Sequence, residues 1–415
     1  MKAKYAMLVL ALLATSALAQ HANMSSDEQV GNAARALHEV ALVLDTHLDT
    51  PSNLHRPGWS ILDRHDQDGD FAQVDLPRMK EGGLDGGFWV VYTAQGARDA
   101  AGNRAARDHG LVRLAAIREM VAAHPQDFEL ALTADDAVRI EKSGKRVVFI
   151  SMENAYPLAS DPTLLSAYYA LGLRMLGITH TSNNDFGDSS TDPVGAEWNG
   201  LSPRGRALVE EANRLGIVLD ASHASDKVFD DLLELSKAPI VLSHTSAKAL
   251  YLHPRNIDDE RLRKLAAKGG VIHINAYGGY LIPTPKNEAR DAALAEWEKR
   301  VGEYSALSPA QIQARLRERQ EIYRKYPVAP ATLDDYMRHL LHILKVAGPE
   351  HVGVGADWDG GGGVAGLEDV TALPRITERL LAAGYTESDI KNIWGGNLLR
   401  VLREVRAKAD AARAP

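Results

Sequence analysis

Histidine and carboxylate side chains follow directly after a short apolar run near the start of this chain. The run ends in Asp45-Thr46-His47-Leu48-Asp49, so that His47 and Asp49 lie two positions apart. Because side chains alternate between the two faces of an extended chain, these two would point to the same side. Neutral imidazole and carboxylate groups suit zinc and related divalent ions. The spacing therefore predicts a pair of metal ligands at this point.

The same arrangement recurs along the chain, because other apolar runs also end near a residue that binds metals or transfers protons. These residues are Glu153, His180, His223, His244 and Asp357. With His47, the set holds four histidines beside aspartate and glutamate, which exceeds what one tetrahedral zinc ion requires. That excess favours two metal ions bridged by a carboxylate and a water molecule.

The apolar runs themselves predict the fold that positions these residues. Eight of them have the length and composition of buried strands, and helical patterns separate them. Strands that alternate with helices predict an α/β protein with a parallel sheet, and eight close a (β/α)8 TIM-type barrel. Catalytic residues of such barrels lie at the carboxyl ends of the strands, so the candidates should share one rim. The predicted strands span residues 42–49, 87–92, 147–150, 173–180, 217–220, 239–242, 271–275 and 352–356.

A charged, largely helical insertion from Tyr280 to Pro330 separates the seventh and eighth predicted strands. The other histidines carry less chemical information. His273 lies inside a predicted strand and is interpreted as a core histidine with its hydrogen bonds satisfied. Six more fall on predicted helices or at the opposite ends of strands and are interpreted as surface residues. They are His38, His109, His124, His339, His342 and His351.

Composition limits the class of partner. The 415 residues are 45% hydrophobic and 25% charged, as in an ordinary globular protein with a sizeable core. A formal net charge of -8 gives no indication of binding to nucleic acid or to an anionic membrane surface. The chain has no cysteine, so a metal site must use histidine and carboxylate ligands. We expect a small-molecule substrate.

The amino terminus has the pattern of a secretory signal peptide. Lys2 and Lys4 precede an apolar run over residues 6–14, and Ala17-Leu18-Ala19 offers the small residues that signal peptidase cleaves. The run is shorter than the roughly 20 residues that span a bilayer, which argues against a stable membrane anchor. Residues 1–19 are therefore predicted to be removed. The remaining residues 20–415 are predicted to form a single (β/α)8 metallohydrolase domain that is periplasmic or secreted.

Taken together, the motifs resemble the renal, or membrane, dipeptidase family of binuclear zinc peptidases, which is related to the amidohydrolase barrels. The similar segments occur in order along nearly the whole mature chain. They are Asp45-Thr46-His47-Leu48-Asp49, Val74-Asp75-Leu76-Pro77-Arg78, Gly86-Gly87-Phe88-Trp89, Gly177-Ile178-Thr179-His180 with Asn183-Asn184, Asp220-Ala221-Ser222-His223, Leu242-Ser243-His244-Thr245-Ser246, Arg255-Asn256 and Gly355-Ala356-Asp357-Trp358-Asp359-Gly360.

The resemblance implies a role for each candidate residue and a cofactor of two zinc ions. By similarity, His47 and Asp49 would hold one zinc, His223 and His244 the other, and Glu153 would bridge them. It further implies that His180 stabilises the developing oxyanion and that Arg255 binds the terminal carboxylate of the substrate. Asp357 would handle protons and the substrate amine, and Tyr277 would contact the substrate. The resemblance also suggests a homodimer.

Two features depart from the family pattern. Glu153 is followed by Asn154-Ala155-Tyr156, where the family usually has glycines, and we expect this change to alter a loop that lines the substrate pocket. The insertion from Tyr280 to Pro330 is also longer than is usual in the family. Both features bear on substrate preference rather than on the reaction.

The combined expectation is an exported, zinc-dependent dipeptidase that hydrolyses dipeptides by a metal-bridged hydroxide. Even one zinc ion lowers the pKa of bound water to about 7. A planar arginine fork suits a free carboxylate, which would restrict the substrates to very short peptides. Acceptance of a D residue at the second position stays open.

Two alternatives to this expectation also stay open. The first is another amidohydrolase-type reaction on a lactone or an N-acyl amino acid. Many such enzymes bridge their metals with a carboxylated lysine, whereas no predicted strand of this chain ends in lysine. The second is a non-catalytic barrel that binds peptides. A degenerate barrel of that kind would have lost metal ligands, but all the expected ones are present.

Overall fold

The core of the protein is a parallel sheet whose strands follow one another in chain order. The computed structural model describes residues 30–301 and 308–413, so the predicted signal peptide at residues 1–19 lies outside the described residues. Eight strands are hydrogen-bonded in the order β1-β2-β4-β5-β6-β7-β8-β9, and β3 pairs with β4 alone. The strands are β1 (Leu44–Leu48), β2 (Gly86–Tyr92), β3 (Phe128–Leu130), β4 (Arg146–Glu153), β5 (Leu173–Gly177), β6 (Val218–Asp220), β7 (Val241–Thr245), β8 (Val271–Ile274) and β9 (Val352–Val354).

The sheet curls until its first and last strands meet. Leu48 forms a parallel bridge with Trp358, which follows β9, and the Asp49 amide donates to the Trp358 carbonyl at 2.8 Å. The buried carboxylate of Asp45 accepts from the amides of His47 and Ala356, which also ties β1 to the segment after β9. The eight strands therefore form a nearly closed (β/α)8 barrel of the TIM type, as the alternation of strands and helices predicts.

The alternation of side chains along the strands separates two apolar cores. Residues from seven strands form an inner cluster, which includes Leu44, Phe88, Phe149, Met175, Val218, Val241 and Val271. The intervening positions, such as Trp89, Val148 and Ile150, belong to the outer cluster beneath the helices. Because side chains alternate, Glu153 lies on the same face of β4 as Phe149. The inner face therefore fills the barrel with apolar groups and carries a carboxylate at the carboxyl rim.

Helices cover the outside of the barrel, and polar side chains fix where several of them begin. Ser202, Ser225 and Asp258 each accept a hydrogen bond from a main-chain amide in the first turn of the helix that follows. No helix in the described ranges is long and apolar enough to cross a membrane. The α-helices are α1 (Asn32–Glu39), α2 (Gln67–Asp70), α3 (Leu76–Gly82), α4 (Ala100–Ala123), α5 (Ala134–Lys142), α6 (Leu164–Ala170), α7 (Pro203–Leu215), α8 (Asp226–Leu235), α9 (Asp259–Ala267), α10 (Gly278–Leu281), α11 (Glu288–Val301), α12 (Pro309–Lys325), α13 (Leu333–Ala347), α14 (Leu373–Ala382), α15 (Glu387–Lys391) and α16 (Asn397–Arg413).

The predicted insertion between the last two strands of the barrel is confirmed as helical. It carries α11 and α12, and α12 packs against α2, which lies in the loop between β1 and β2. The ring of Phe71, directly after α2, lies 6.2 Å from that of Tyr323 on α12 in an edge-to-face arrangement. The insertion is therefore held against the rim of the barrel.

The structure corrects the interpretation of two histidines and adds one strand. His38 and His339 were expected on the surface, but each has only 1% of its side chain exposed. Both are on helices whose apolar face packs inward, and their rings bond to the main-chain oxygens of Gly82 and Leu281. Burial of a ring whose polar atoms are all bonded costs little, so helical position alone does not imply exposure. The strand β3 was not predicted, because its three residues are too short for a clear pattern.

The interpretation of His273 as a core histidine is confirmed for its burial, but only one of its two ring nitrogens has a hydrogen-bond partner. Its Nδ1 lies 3.1 Å from the Leu242 carbonyl oxygen, whereas its Nε2 is buried without a partner.

Candidate active site

A cleft of about 370 Å³ opens at the carboxyl ends of the strands. Six of the nine predicted site residues line it, and they come from the ends of six different strands: Asp49, Glu153, His180, His223, Tyr277 and Asp357. His47 and His244 are buried beside these residues, with 2% and 1% of their surface exposed. The structure thus brings the predicted residues from distant parts of the chain to one rim.

Glu153 lies at the centre of this arrangement. Its Oε2 is 3.4 Å from Nε2 of His47, and its Oε1 is 3.0 Å from Nε2 of His223 and 3.4 Å from Nε2 of His244. The Nε2 atom of His47 also lies 3.5 Å from Oδ2 of Asp49. The two carboxylate oxygens of Glu153 therefore face different histidines.

The donor atoms fit divalent metal ions. Three groups of ligand atoms lie within 4.8 Å of one another: His47, Glu153 and His244; Glu153, His180 and His223; and His47, Asp49 and Asp357. Nδ1 of His223 is buried without a hydrogen-bond partner, which is costly for a polar atom. Nε2 of His47 is also buried without a hydrogen bond, although two carboxylates lie 3.4 Å and 3.5 Å away. Imidazole and carboxylate ligands at such spacing suit zinc and related ions. One grouping joins His244 to His47, and Nε2 of His244 also lies 2.9 Å from Nε2 of His223, the pairing that the resemblance implies.

A buried serine and aspartate orient His244. Oγ of Ser243 lies 2.8 Å from Nδ1 of His244 and donates to Oδ2 of Asp220 at 2.5 Å. The other oxygen of Asp220 accepts the amides of Ser222 and Ser243, each at 2.9 Å. Because Nδ1 of His244 is occupied in this way, its Nε2 is left to face Glu153. Partners of this kind fix the orientation of metal-binding histidines.

Burial and neighbouring charge set the protonation of the cluster. Burial lowers the pKa of His223 and of His244 well below the usual value, and the nearby Arg255 adds to the effect. Burial opposes ionisation of Glu153, but the charges of His47 and His180 outweigh it and hold the pKa of Glu153 well below its usual range. His223 and His244 are therefore neutral beside an ionised carboxylate, and these are the forms that bind metals. The pKa of His47 lies well above its usual value, because the carboxylates of Glu153 and Asp49 outweigh the effect of its burial.

Asp357 reaches the cleft from the loop after β9. Its backbone has a φ of 65°, and His223 and Asn154 share this left-handed conformation with φ values of 66° and 68°. Non-glycine residues adopt it rarely, and it is typical of constrained functional sites. Burial raises the pKa of Asp357 well above its usual value, against the opposing charge of His47. Gly360 permits the close approach of this loop, since a Cβ atom there would lie 2.1 Å from Oδ2 of Asp49.

His180 lies against a tyrosine that the sequence pattern missed. The hydroxyl of Tyr92 is 3.5 Å from Nδ1 of His180, and the two rings meet edge to face with their centroids 4.8 Å apart. Burial lowers the pKa of His180, which the charge of Glu153 opposes. Tyr92 ends β2 at the same rim as the other site residues, so the position at a strand end was the available signal for it.

Arg255 lies beneath the cleft rather than in its wall. It is 3% exposed, its Nη2 donates to the main-chain oxygen of His244 at 3.1 Å, and its Nε is buried without a partner. Its guanidinium stacks over the ring of Tyr280 at 5.0 Å. Tyr280 and the predicted Tyr277 both line the cleft, with ring centroids 4.6 Å apart.

The loop after Glu153 does not line the pocket, contrary to expectation. Asn154, Ala155 and Tyr156 are at most 2% exposed. Asn154 Nδ2 donates to the carbonyl oxygen of Thr93 at 2.9 Å, and its Oδ1 accepts from the side chain of Asn184 at 2.9 Å. Asparagine tolerates the left-handed backbone conformation better than most residues, and its side chain forms hydrogen bonds that glycine cannot form. The departure from the family pattern therefore stabilises the segment beneath the rim of the barrel.

Comparison with known proteins identifies the family of this chain. The sequence model of the membrane dipeptidase family (peptidase family M19) matches residues 32–415. The dipeptidase tcpJ of Claviceps purpurea is 29% identical over 406 residues, which cover 94% of this chain and 85% of that protein. Two solved structures share the fold along most of their length. The probable dipeptidase PvdM from Pseudomonas aeruginosa is 30% identical with a TM-score of 0.75, and the match covers 90% of this chain and 98% of that one.

The second structure is a metallopeptidase from Rhodobacter sphaeroides that holds a phosphinate mimic of the dipeptide L-Ala-D-Ala. It is 28% identical with a TM-score of 0.69, and the match covers 88% of this chain and 99% of that one. The family match extends over the whole barrel and every predicted site residue. This chain therefore belongs to the membrane dipeptidase family, peptidase family M19, and is a metallopeptidase that hydrolyses the peptide bond of dipeptides.

Proposed function

We propose that this metallopeptidase is an exported, zinc-dependent dipeptidase with a binuclear metal site. The observation that carries the proposal is the position of Glu153, whose two oxygens lie 3.4 Å from His47 and 3.0 Å from His223. A carboxylate that faces separate histidines with its two oxygens is suited to bridge two ions. In this proposal His47 and Asp49 hold one zinc, and His223 and His244 hold the other.

When bound, the two ions supply Lewis acidity and a water molecule whose pKa lies near neutrality. The chain supplies the remaining parts of the reaction. His180, in the wall of the cleft, donates to the carbonyl oxygen of the substrate as negative charge develops on it. Such an interaction is stronger in the transition state than in the ground state, so it lowers the activation free energy of hydrolysis rather than the Michaelis constant. Asp357 binds the substrate amine and passes a proton to the departing nitrogen.

Arg255 selects substrates with a free carboxyl terminus. Its Nε is buried without a partner, and a carboxylate would satisfy it while forming the two parallel bonds that the guanidinium favours. Tyr277, 38% exposed in the cleft wall, contacts the bound dipeptide. A terminal carboxylate at one end and an amine site at the other limit the substrate to two residues.

We also propose that a D residue is accepted at the carboxyl-terminal position. The support is the Rhodobacter sphaeroides metallopeptidase, which is 28% identical and holds a mimic of L-Ala-D-Ala. The buried position of Asn154 adds support, because the altered loop does not narrow the cleft.

Export rests on the pattern at the amino terminus, with Lys2 and Lys4 before an apolar run and Ala17-Leu18-Ala19 at its end. The mature protein is then one barrel domain over residues 20–415, in the periplasm or secreted, and the family resemblance supports a homodimer. Amino-terminal sequencing of the protein from the periplasm or medium should begin near Gln20. Intact Met1 would contradict export by this route.

The direct test is hydrolysis of L-Ala-L-Ala and L-Ala-D-Ala by the mature protein after chelation and after restoration of zinc. We expect no cleavage without metal and recovery with zinc. The ratio of the two rates measures tolerance of the D residue. If neither dipeptide is cleaved with zinc bound, the proposal fails, and lactones and N-acyl amino acids become the substrates to examine.

A further inference from the structure

A second cleft of about 420 Å³ lies beside the active site, between the inserted helix α12 and the loop after β9. Its wall combines aromatic groups, one cation and the glycine-rich main chain of the loop after β9. The lining residues are Phe71, Gln73, Arg319, Tyr323, Asp359, Gly360, Gly361 and Gly362. Two of them, Asp359 and Gly360, also line the active-site cleft, so the two spaces adjoin at this point.

Arg319 presents its guanidinium group to this cleft between two aromatic rings. The guanidinium lies 4.9 Å from the ring centre of Phe71 and 5.6 Å from that of Tyr323, and its Nη2 donates to the Tyr323 hydroxyl at 3.3 Å. The neighbouring carboxylate of Glu318 faces Arg300 and Arg315, at 3.8 Å and 4.0 Å, rather than Arg319. Stacking on the two aromatic rings holds the guanidinium group in one orientation and leaves N–H donors available to a ligand.

Phe71 is itself held in an uncommon conformation to form this wall. Its φ of 64° is in the left-handed region, which a bulky side chain rarely adopts. Such a conformation persists where the surroundings fix it, often at a ligand site. Here it turns the ring toward Tyr323 and Arg319.

The acidic residue in the wall is bonded to partners other than Arg319. Asp359 accepts from the Thr50 hydroxyl at 2.6 Å with one oxygen and from the Gln73 amide at 2.7 Å with the other. Because both oxygens of Asp359 are bonded to Thr50 and Gln73, Arg319 is the lining group that can pair with an anion that enters the cleft.

The position of the opening indicates which part of a dipeptide reaches this cleft. Gly360 lies directly beside Asp357, the residue proposed to bind the substrate amine. Arg255, proposed to bind the terminal carboxylate, lies beneath the cleft against His244 and Tyr280. The side chain of the first residue of the substrate is therefore the part that points past Gly360 toward Arg319.

We propose that the cleft beside Arg319 is a specificity pocket for the side chain of the amino-terminal residue, and that Arg319 selects dipeptides whose first residue is acidic. This inference rests on the proposed function, because it uses the proposed orientation of the dipeptide between Asp357 and Arg255. The inserted helix α12 thus supplies a substrate contact that the barrel alone lacks.

The test compares kcat/KM for Glu-Ala, Gln-Ala and Ala-Ala with the zinc-loaded protein. Gln has the shape of Glu without its charge, so the ratio of Glu-Ala to Gln-Ala isolates the electrostatic contribution. We expect the wild type to favour Glu-Ala over Gln-Ala by about tenfold, the effect of one charge-assisted hydrogen bond. Arg319→Gln should reduce this ratio to about one and leave Ala-Ala within about twofold, whereas Arg319→Lys should keep part of the preference.

Arg317→Gln is the matched control, because Arg317 is exposed on the same helix and does not line the cleft. It should retain the wild-type ratio. A ratio near one in the wild type, or an unchanged ratio in Arg319→Gln, would overturn the specificity pocket while leaving the dipeptidase proposal intact. Failure to cleave any of the three dipeptides, Ala-Ala included, would overturn both.

Discussion

Oε1 of Glu153 lies 3.0 Å from Nε2 of His223, although these residues are 70 positions apart. Glu153 ends β4, and His223 follows β6, with β5 between the two strands. A side chain at one strand end can meet one from two strands away because the barrel rim is narrow and closed. The relationship explains why the ligand set depends on the complete barrel rather than on any local motif.

Replacement of Arg255 tests recognition of the substrate carboxylate. Arg255→Ala should raise KM for L-Ala-L-Ala by about 10- to 100-fold, because a charge-assisted hydrogen bond to the carboxylate is lost. It should affect L-Ala-L-Ala amide far less, since the amide carries no terminal charge. Steady-state kinetics on the two substrates measure the difference. Equal effects on both would mean that Arg255 only supports the structure.

Replacement of Ser243 tests the orientation of a metal-binding histidine. Ser243→Ala removes the contact of 2.8 Å to Nδ1 of His244 and the link to Asp220. We expect zinc affinity to fall by about 10- to 100-fold, with activity regained at high zinc concentration. Zinc titration of the chelated protein, followed by activity, measures the change.

Ser246→Ala is the matched control, because its Oγ is buried without a hydrogen-bond partner. Its zinc affinity should stay close to that of the wild type. An unchanged affinity in Ser243→Ala would show that the contact to His244 does not act on the metal site.

The backbone at Asn154 allows a test of the departure from the family pattern. At a φ of 68°, the Cβ atom of alanine causes steric strain that glycine avoids. Asn154→Ala should therefore lower the free energy of unfolding by about 1 kcal/mol more than Asn154→Gly does. Both variants lose the side-chain bonds to Thr93 and Asn184, so the difference reports the backbone alone. Urea unfolding of the two variants measures it, and equal stabilities would contradict the left-handed conformation.

The buried ring of His38 predicts a dependence of stability on pH. Burial lowers the pKa of His38 from 6.5 to about 4, despite its hydrogen bond to Gly82. Between these values the unfolded chain binds a proton that the folded chain does not, so the contribution of His38 is complete above pH 6.5 and is lost as the pH falls toward 4. The loss amounts to about 1.4 kcal/mol per pH unit.

His38→Gln has no titrating group at this position and serves as the reference. The difference in free energy of unfolding between wild type and His38→Gln should therefore shrink as the pH falls below 6.5. Urea unfolding at several pH values measures it. A difference that stays constant over that range would show that the ring titrates normally.

Much of the site could be predicted because the barrel places chemistry at one end of each strand. His47, Glu153, His223 and His244 each follow an apolar run, and the fold then brings the ends together. The sequence could not show that His244 faces His47 as well as His223, because that depends on the curvature of the rim. Tyr92 was missed because a tyrosine at the end of an apolar strand also resembles an ordinary core residue.

The parts that sequence reasoning placed wrongly are those where packing decides. His38 and His339 appeared polar and exposed on helices, but the main-chain oxygens of Gly82 and Leu281 satisfy their rings inside the protein. Asn154 appeared to line the substrate pocket, yet its amide bonds to the carbonyl of Thr93 and turns away from the cleft. In each case a hydrogen bond between distant segments determined the position, and no local pattern contains that information.

The most direct test of the binuclear site is a zinc titration of the fully chelated protein, with L-Ala-L-Ala hydrolysis measured after each addition. If Glu153 bridges two ions, activity should reach its plateau at two zinc ions per chain, and Glu153→Gln should lower the plateau by at least about 100-fold because the bridging charge is lost. A plateau at one zinc ion per chain, or full activity in Glu153→Gln, would contradict the account.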